Sequence, residues 1–197
     1  MIYNRYDFKG EYMNHEFIMY VGPMFGGKTT RMLSQVERYR YQDENVFLFK
    51  PSIDNRFDDQ KVMTHTGRSA EAMLVVDGWA VRSTIDKISN NRSCVVAIDE
   101  AFMIPYIGEV AIDLFKRGHT ILVSSLQLSS DGSAYNETAQ MFPYATAIEV
   151  CPAIDPISKT AAYYTEKYGG RNDHEIEVGG SEMYRPRDWN GFFGYDG

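Results

Sequence analysis

Gly22-Pro-Met-Phe-Gly-Gly-Lys-Thr29 sets glycine, lysine and threonine at the spacing G-x-x-x-x-G-K-[ST]. Glycines let a backbone curl round an anion, so that successive N–H groups and the next helix N-terminus point at phosphate oxygens. Lys28 then bridges the outer phosphates, and the Thr29 hydroxyl completes a Mg²⁺ shell. An apolar run, Phe17-Ile-Met-Tyr-Val21, precedes the loop, and a helical pattern opens at Thr30. That strand–loop–helix context is what the motif requires. The expected nucleoside-triphosphate site comprises Gly22, Pro23, Met24, Phe25, Gly26, Gly27, Lys28, Thr29 and Thr30. A second reactive pair, Asp99-Glu100, ends the apolar run Cys94-Val-Val-Ala-Ile98. Strand carboxyl ends in open parallel sheets face the ligand crevice. From there Asp99 reaches the loop's Mg²⁺, partly through water, and Glu100 sits beside the terminal phosphate. It would accept a proton from an attacking hydroxyl or orient a water. Asp-Glu after a strand is ordinarily a solvated strand end; downstream of a phosphate loop, the catalytic reading is the better one.

These residues need a scaffold, and the apolar patterning supplies one. Phe17–Val21, Val46–Phe49, Cys94–Ile98, Ile121–Val123 and Ile148–Val150 read as strands. Between them, Met32, Leu33, Val36 and Tyr39 share one helix face, as do Val81, Ile85 and Ile88. Val110, Ala111, Leu114 and Phe115 mark a further helix that Gly118 stops. Strands without polar alternation are buried on both faces, as in a parallel sheet with helices above and below. The fold class is α/β.

Composition narrows the partners. The 197 residues carry a net charge of −7, which argues against a non-specific grip on a nucleic-acid backbone. No apolar run approaches a membrane span, and the N-terminus does not read as a signal peptide, so a cytoplasmic protein is expected. Cys94 and Cys151 are its two cysteines, expected as reduced thiols. Residues 1–14 read as a loose extension, within which Met13 is a conceivable internal start.

The ordered motifs resemble the thymidine kinases of animal cytosol, many bacteria and large DNA viruses. The Pro-Met-Phe inside the phosphate loop is one such feature. Lys50-Pro-Ser-Ile-Asp-Asn-Arg-Phe57, Thr64-His-Thr-Gly67, Ile98-Asp-Glu-Ala101 with Pro105, and Val178-Gly-Gly-Ser-Glu-Met-Tyr184 are the others. The resemblance implies a P-loop domain over residues 15–146 and a lasso lobe over 147–197. It implies phosphoryl transfer from ATP to the 5′-hydroxyl of a pyrimidine deoxynucleoside, a homotetramer, and feedback by the pathway's triphosphate product. Glu100 would be the general base, with Lys28 and Arg56 neutralising the transferring group. Arg56 read alone also fits, less well, a surface arginine paired with Asp54 or Asp58. Met24, Leu126, Thr165, Val178, Gly179 and Tyr184 would line the nucleoside side, although Met24, Leu126 and Tyr184 also suit a core.

Three departures matter. Leu126-Gln-Leu-Ser-Ser130 lacks an aromatic that the family carries, and Phe102-Met-Ile104 stands where Gln-Phe-Phe is usual. Two missing rings should enlarge the base site and suit a bulkier 5-substituted deoxyuridine. The family's structural zinc needs four soft or imidazole ligands. Here one cysteine, Cys151, remains, Asp188-Trp-Asn-Gly191 occupies the second location, and His174 has no matching partner. Structural zinc is expected to be absent, with Trp189, Phe192 and Phe193 packing the lobe instead. His15, His65 and His119 are not expected to be ligands. Two other readings stay open: a kinase of another acceptor, and a non-catalytic nucleotide-binding relative.

Overall fold

In the computed structural model, residues 15–54, 61–63, 69–90, 92–169 and 178–194 are described. The P-loop half begins with β1 (Phe17–Val21), α1 (Lys28–Tyr41) and β2 (Val46–Pro51). A short hairpin of β3 (Lys61–Met63) and β4 (Ser69–Glu71) leads to β5 (Met73–Val75) and α2 (Gly78–Ile88). Then come β6 (Val95–Ile98), α3 (Ile107–Lys116), β7 (Thr120–Ser125), α4 (Asn136–Met141) and β8 (Ala147–Val150). Six strands form one sheet in the order β5-β2-β6-β7-β1-β8, with every neighbouring pair parallel.

Alternation within the strands separates two cores. Phe17, Met19, Val21, Phe49, Val96, Ile98, Ile121 and Val123 face one side, against Val81 and Ile85 of α2 and Val110, Ala111 and Leu114 of α3. The intervening Tyr20, Leu48, Val95, Ala97 and Leu122 face the other, against Met32, Leu33 and Val36 of α1. Because helices cover both faces, these strands show no polar alternation in sequence. At about 2 kcal/mol for each large buried side chain, this double layer is the fold's main favourable term. The edge departs from that pattern. Among the described residues β8 pairs with β1 alone, and Ile148 and Val150 stay 48% and 49% exposed.

Local chemistry sets the helix ends. Asp77 caps α2 by accepting from Ala80 N at 2.8 Å, supplying a partner for an orphan first-turn donor. Gly78 follows because a Cβ there would lie 2.7 Å from the Tyr106 carbonyl oxygen. Glu137 at the start of α4 accepts from the amides of Tyr106 and Gly108, at 3.1 and 2.8 Å, and so ties α4 to the N-terminus of α3. Gly118 closes α3 with φ +91°, as its position in sequence suggested.

Beyond the sheet lie β9 (Ala153–Ile154), β10 (Ala161–Ala162), β11 (Tyr164–Lys167), β12 (Tyr184–Arg187) and α5 (Trp189–Phe193). They form two antiparallel pairs, β9–β10 and β11–β12. Phe192 and Phe193 pack on Tyr164 with ring centroids 5.1 and 4.9 Å away, while Trp189 reaches Phe193 at 6.1 Å. No described helix is long and apolar enough to cross a membrane.

Candidate active site

The phosphate loop leaves the carboxyl end of β1 and turns through positive φ at Gly22 (+150°), Phe25 (+65°) and Gly27 (+76°). The Cys151 carbonyl oxygen presses against it. A Cβ would come within 2.3 Å of that oxygen at Gly22 and within 2.2 Å at Gly26. Gly27 differs: nothing lies within 4 Å of its Cβ position, so only its left-handed backbone asks for glycine. Gly26 N donates to Pro23 O at 3.3 Å, and buried Lys28 extends its Nζ to the same carbonyl at 2.7 Å. Pro23, Met24, Phe25 and Gly26 therefore form the arch, while Lys28, Thr29 and Thr30 open α1, two residues earlier than the apolar pattern indicated.

Asp99 lies at the end of β6, buried, with its N–H donating to Phe49 O at 2.9 Å. The Thr29 hydroxyl donates to Asp99 Oδ1 at 2.9 Å across 70 residues of sequence. Burial pushes the Asp99 carboxyl up to about 7, and the neighbouring Glu100 charge pushes the same way. The Thr29 hydrogen bond and the Lys28 charge pull against them. Mg²⁺ takes hard oxygen ligands, one or two carboxylates and substrate phosphates. The Thr29 hydroxyl and the Asp99 carboxylate fit that set, and a cation beside them would favour the ionised carboxylate. Glu100 itself adopts φ +48°, ψ +44°, the left-handed region, just before the buried turn Ala101–Met103. A non-glycine residue there costs about 1–3 kcal/mol, and such strain gathers at functional sites.

Next to this pair is a small apolar cluster. Phe102, Met103 and Leu126 are buried, with Met24, Tyr135 and Val178 packed against them. Met24, Leu126 and Val178 are thus brought together. Tyr184 stands beside Gly179, where a Cβ would meet Met183 Sδ at 2.4 Å and Tyr184 Cε2 at 3.2 Å. Thr165 is outside the apolar cluster; its Oγ1 accepts from Met24 N at 3.0 Å and joins β11 to the loop. Arg56, together with His65 and His174, lies outside the described residues.

Sequence reasoning missed Tyr135. It lies in a polar stretch before α4 and pairs with Phe102 at a centroid distance of 4.6 Å. Phe102 and Tyr135 thus put a ring pair into the cluster, beside the positions where the family's two rings are missing. Hydroxyls brace it from behind: Ser125 Oγ accepts from Phe102 N at 3.1 Å, and Thr138 Oγ1 donates to Leu126 O at 2.8 Å. Tyr135→Ala is expected to raise the nucleoside KM about tenfold, from roughly 1–1.5 kcal/mol of ring contact, with the ATP KM unchanged. Steady-state kinetics with each substrate varied in turn will show it; an unchanged nucleoside KM removes Tyr135 from the pocket.

The residues at the family's zinc location do not fit a tetrahedral thiolate site. Cys151 is buried and points its thiol at Glu149 O, 3.6 Å away. The Asp188 side chain caps α5 through Gly191 N at 2.7 Å and accepts from Thr160 Oγ1 at 2.9 Å. Among the described residues, no three His, Cys, Asp or Glu groups gather in a way that could hold a metal ion. A buried carboxylate, Asp155, ties the lobe instead. Burial alone would raise its pKa, but N–H donors from Asp188, Ile157 and Ser158, then the Arg187 charge, hold it down at about 2. Its folded value lies below the ordinary 3.9 or so, so its stabilisation is present above about pH 4 and fades as pH falls toward 2. On the order of 2 kcal/mol is at stake. Trp189 fluorescence should report lobe loosening between pH 4 and 2, and Asp155→Asn should weaken that pH dependence, the remainder coming from Glu166 and Asp188, whose carboxyls are also held below their ordinary values.

The sequence model of the thymidine kinase family matches residues 15–188. A thymidine kinase of Thermococcus kodakarensis is 32% identical over 173 residues, covering 84% of this chain and 88% of the relative. A thymidine kinase of Pyrobaculum aerophilum is 29% identical over 175 residues, covering 86% and 94%. With the match running from just before β1 to the end of β12, this chain belongs to the thymidine kinase family.

Proposed function

We propose that the chain transfers the γ-phosphoryl group of ATP to the 5′-hydroxyl of thymidine, giving thymidine 5′-monophosphate and ADP. One observation carries the reading: the Thr29–Asp99 hydrogen bond joins the phosphate loop to the carboxylate pair at the ends of β1 and β6, and the apolar cluster of Phe102, Met103 and Leu126, with Met24 and Tyr135 packed on it, begins two residues after Glu100. Polar groups suited to a polyphosphate and apolar side chains suited to a flat base thus adjoin one carboxylate along the chain.

In this mechanism the loop amides and Lys28 hold the β- and γ-phosphates, and Arg56, by resemblance, adds charge at the group in transit. Thr29 and Asp99 would hold Mg²⁺, which supplies charge neutralisation on the phosphate oxygens. Glu100 accepts the 5′-hydroxyl proton as that oxygen bonds to the γ-phosphorus and the bond to the β–γ bridging oxygen breaks. Phosphoryl transfer asks for alignment and charge neutralisation more than covalent help, which is what these groups provide. Val178, Gly179 and Tyr184 close over the nucleoside, and the exclusion of water limits hydrolysis of ATP. We further propose a P-loop domain over residues 15–146 and a lasso lobe over 147–197, a homotetramer, and action in the cytoplasm. Light scattering on a sizing column tests the assembly.

The test of function is ATP- and Mg²⁺-dependent phosphorylation of a panel of nucleosides by the purified chain, with Lys28→Ala as blank. Conversion of thymidine in preference to the others is the expected result. Preference for a bulkier 5-substituted deoxyuridine would redirect the base assignment. A silent panel with ATP still bound would leave a nucleotide-binding protein without this activity.

A further inference from the structure

We infer that Asp155 is a positioning residue for the phosphotransfer: its carboxylate knots the C-terminal lobe so that hairpin β11–β12 keeps Thr165 seated on the phosphate loop at Met24. The inference rests on the nucleoside reading of Met24, Thr165 and Tyr184.

The Asp155 residue is fully buried, and four donors reach its two oxygens. Oδ1 accepts from Ile157 N at 2.7 Å and Ser158 N at 3.3 Å; Oδ2 accepts from Asp188 N at 2.9 Å and Arg187 Nε at 3.1 Å. Two of these donors belong to the turn after β9, and two to the end of β12 and its exit, more than thirty residues on. A buried carboxylate saturated by N–H groups is stable as an anion, and removal of its charge would strand those donors.

The knot continues across the hairpin. Arg187 Nη1 donates to Glu166 Oε2 at 2.9 Å, and Arg185 pairs with the same carboxylate. Glu166 adjoins Thr165, whose ladder partner is Pro186. Thr165 Oγ1 then accepts from Met24 N, 141 residues away in sequence. Tyr184 opens β12 opposite Lys167, so the same hairpin also carries that nucleoside candidate. One anchored guanidinium thereby sets both Thr165 and Tyr184 relative to the loop.

The test compares the intact chain with Asp155→Asn, Thr165→Val and the double variant. For Asp155→Asn we expect a thymidine KM at least tenfold higher, with the ATP KM and kcat at saturating thymidine within threefold of wild type. A merely structural loss would lower kcat or move both KM values together, and that outcome overturns the inference, as does an unchanged thymidine KM. Thermal melts give a readout independent of activity. The stability losses of the two single variants should be non-additive, because both act through one hairpin; additive losses overturn the proposal. If Asp155→Asn does not fold, Arg187→Lys, which keeps the charge but gives up one of two partners, must show the same selective rise in KM. Wild-type protein that turns over no thymidine would bring down the functional reading instead, and the melts would still decide the coupling of Asp155 to Thr165.

Discussion

Glu100→Gln is expected to lower thymidine turnover at least a hundredfold while ATP affinity stays within about twofold, since general-base assistance contributes about 10²–10⁴ in rate. Glutamine keeps the volume and the left-handed backbone position but cannot take up the hydroxyl proton. ATP binding should survive for a reason visible in the site. The Glu100 charge helps push the Asp99 carboxyl up, so its removal lets Asp99 ionise more readily beside Thr29. The phosphate side of the pocket therefore loses nothing and can gain. A coupled assay for ADP gives the rate, and calorimetry with ATP and Mg²⁺ gives the affinity. An unchanged rate would remove Glu100 from the mechanism, and a large fall in ATP affinity would mean that its role is to hold the loop.

Gly26→Ala should abolish productive ATP binding, whereas Gly27→Ala should not. At Gly26 the new Cβ would sit 2.2 Å from the Cys151 carbonyl oxygen and 3.2 Å from the Pro23 carbonyl oxygen. Neither contact is a flexible side-chain tip; both belong to backbone. The loop or the chain leaving β8 must move, at about 1–3 kcal/mol or more, which is a fall in Tm of several degrees for a chain of this size. A displaced arch no longer aims its amides at phosphate, so the loss in affinity should exceed the loss in stability. At Gly27 the space is open and only φ +76° is strained, at about 1–2 kcal/mol. Calorimetry and thermal melts on both variants separate the cases. Wild-type affinity in Gly26→Ala would show that the Cys151 segment yields easily and does not buttress the loop.

Much of the site was legible before any coordinates because its parts are local. Gly22 to Thr29 is one unbroken string, and Asp99-Glu100 terminates a strand that an apolar run announces. Their meeting followed from a general rule about the carboxyl ends of parallel strands. Elements too short for a period escaped: β5 has three residues, and α4 is six residues of mainly polar sequence. The exposure of Ile148 and Val150 was not legible either, because they are as apolar as core residues and only sheet order reveals that β8 is an edge.

The sequence by itself determined the α/β class, the strands β1, β2, β6 and β7, the phosphate loop and the carboxylate pair. Each is written in contiguous residues whose own propensities and periods agree. The tertiary structure alone decided the rest. It paired Phe102 with Tyr135, set the Cys151 carbonyl against Gly22 and Gly26, and joined Asp155 to Arg187 and Thr165 to Met24. Those contacts join segments from 32 to 141 residues apart, and no local pattern encodes them. They exist because the sheet and the lobe bring distant chain ends within hydrogen-bonding reach.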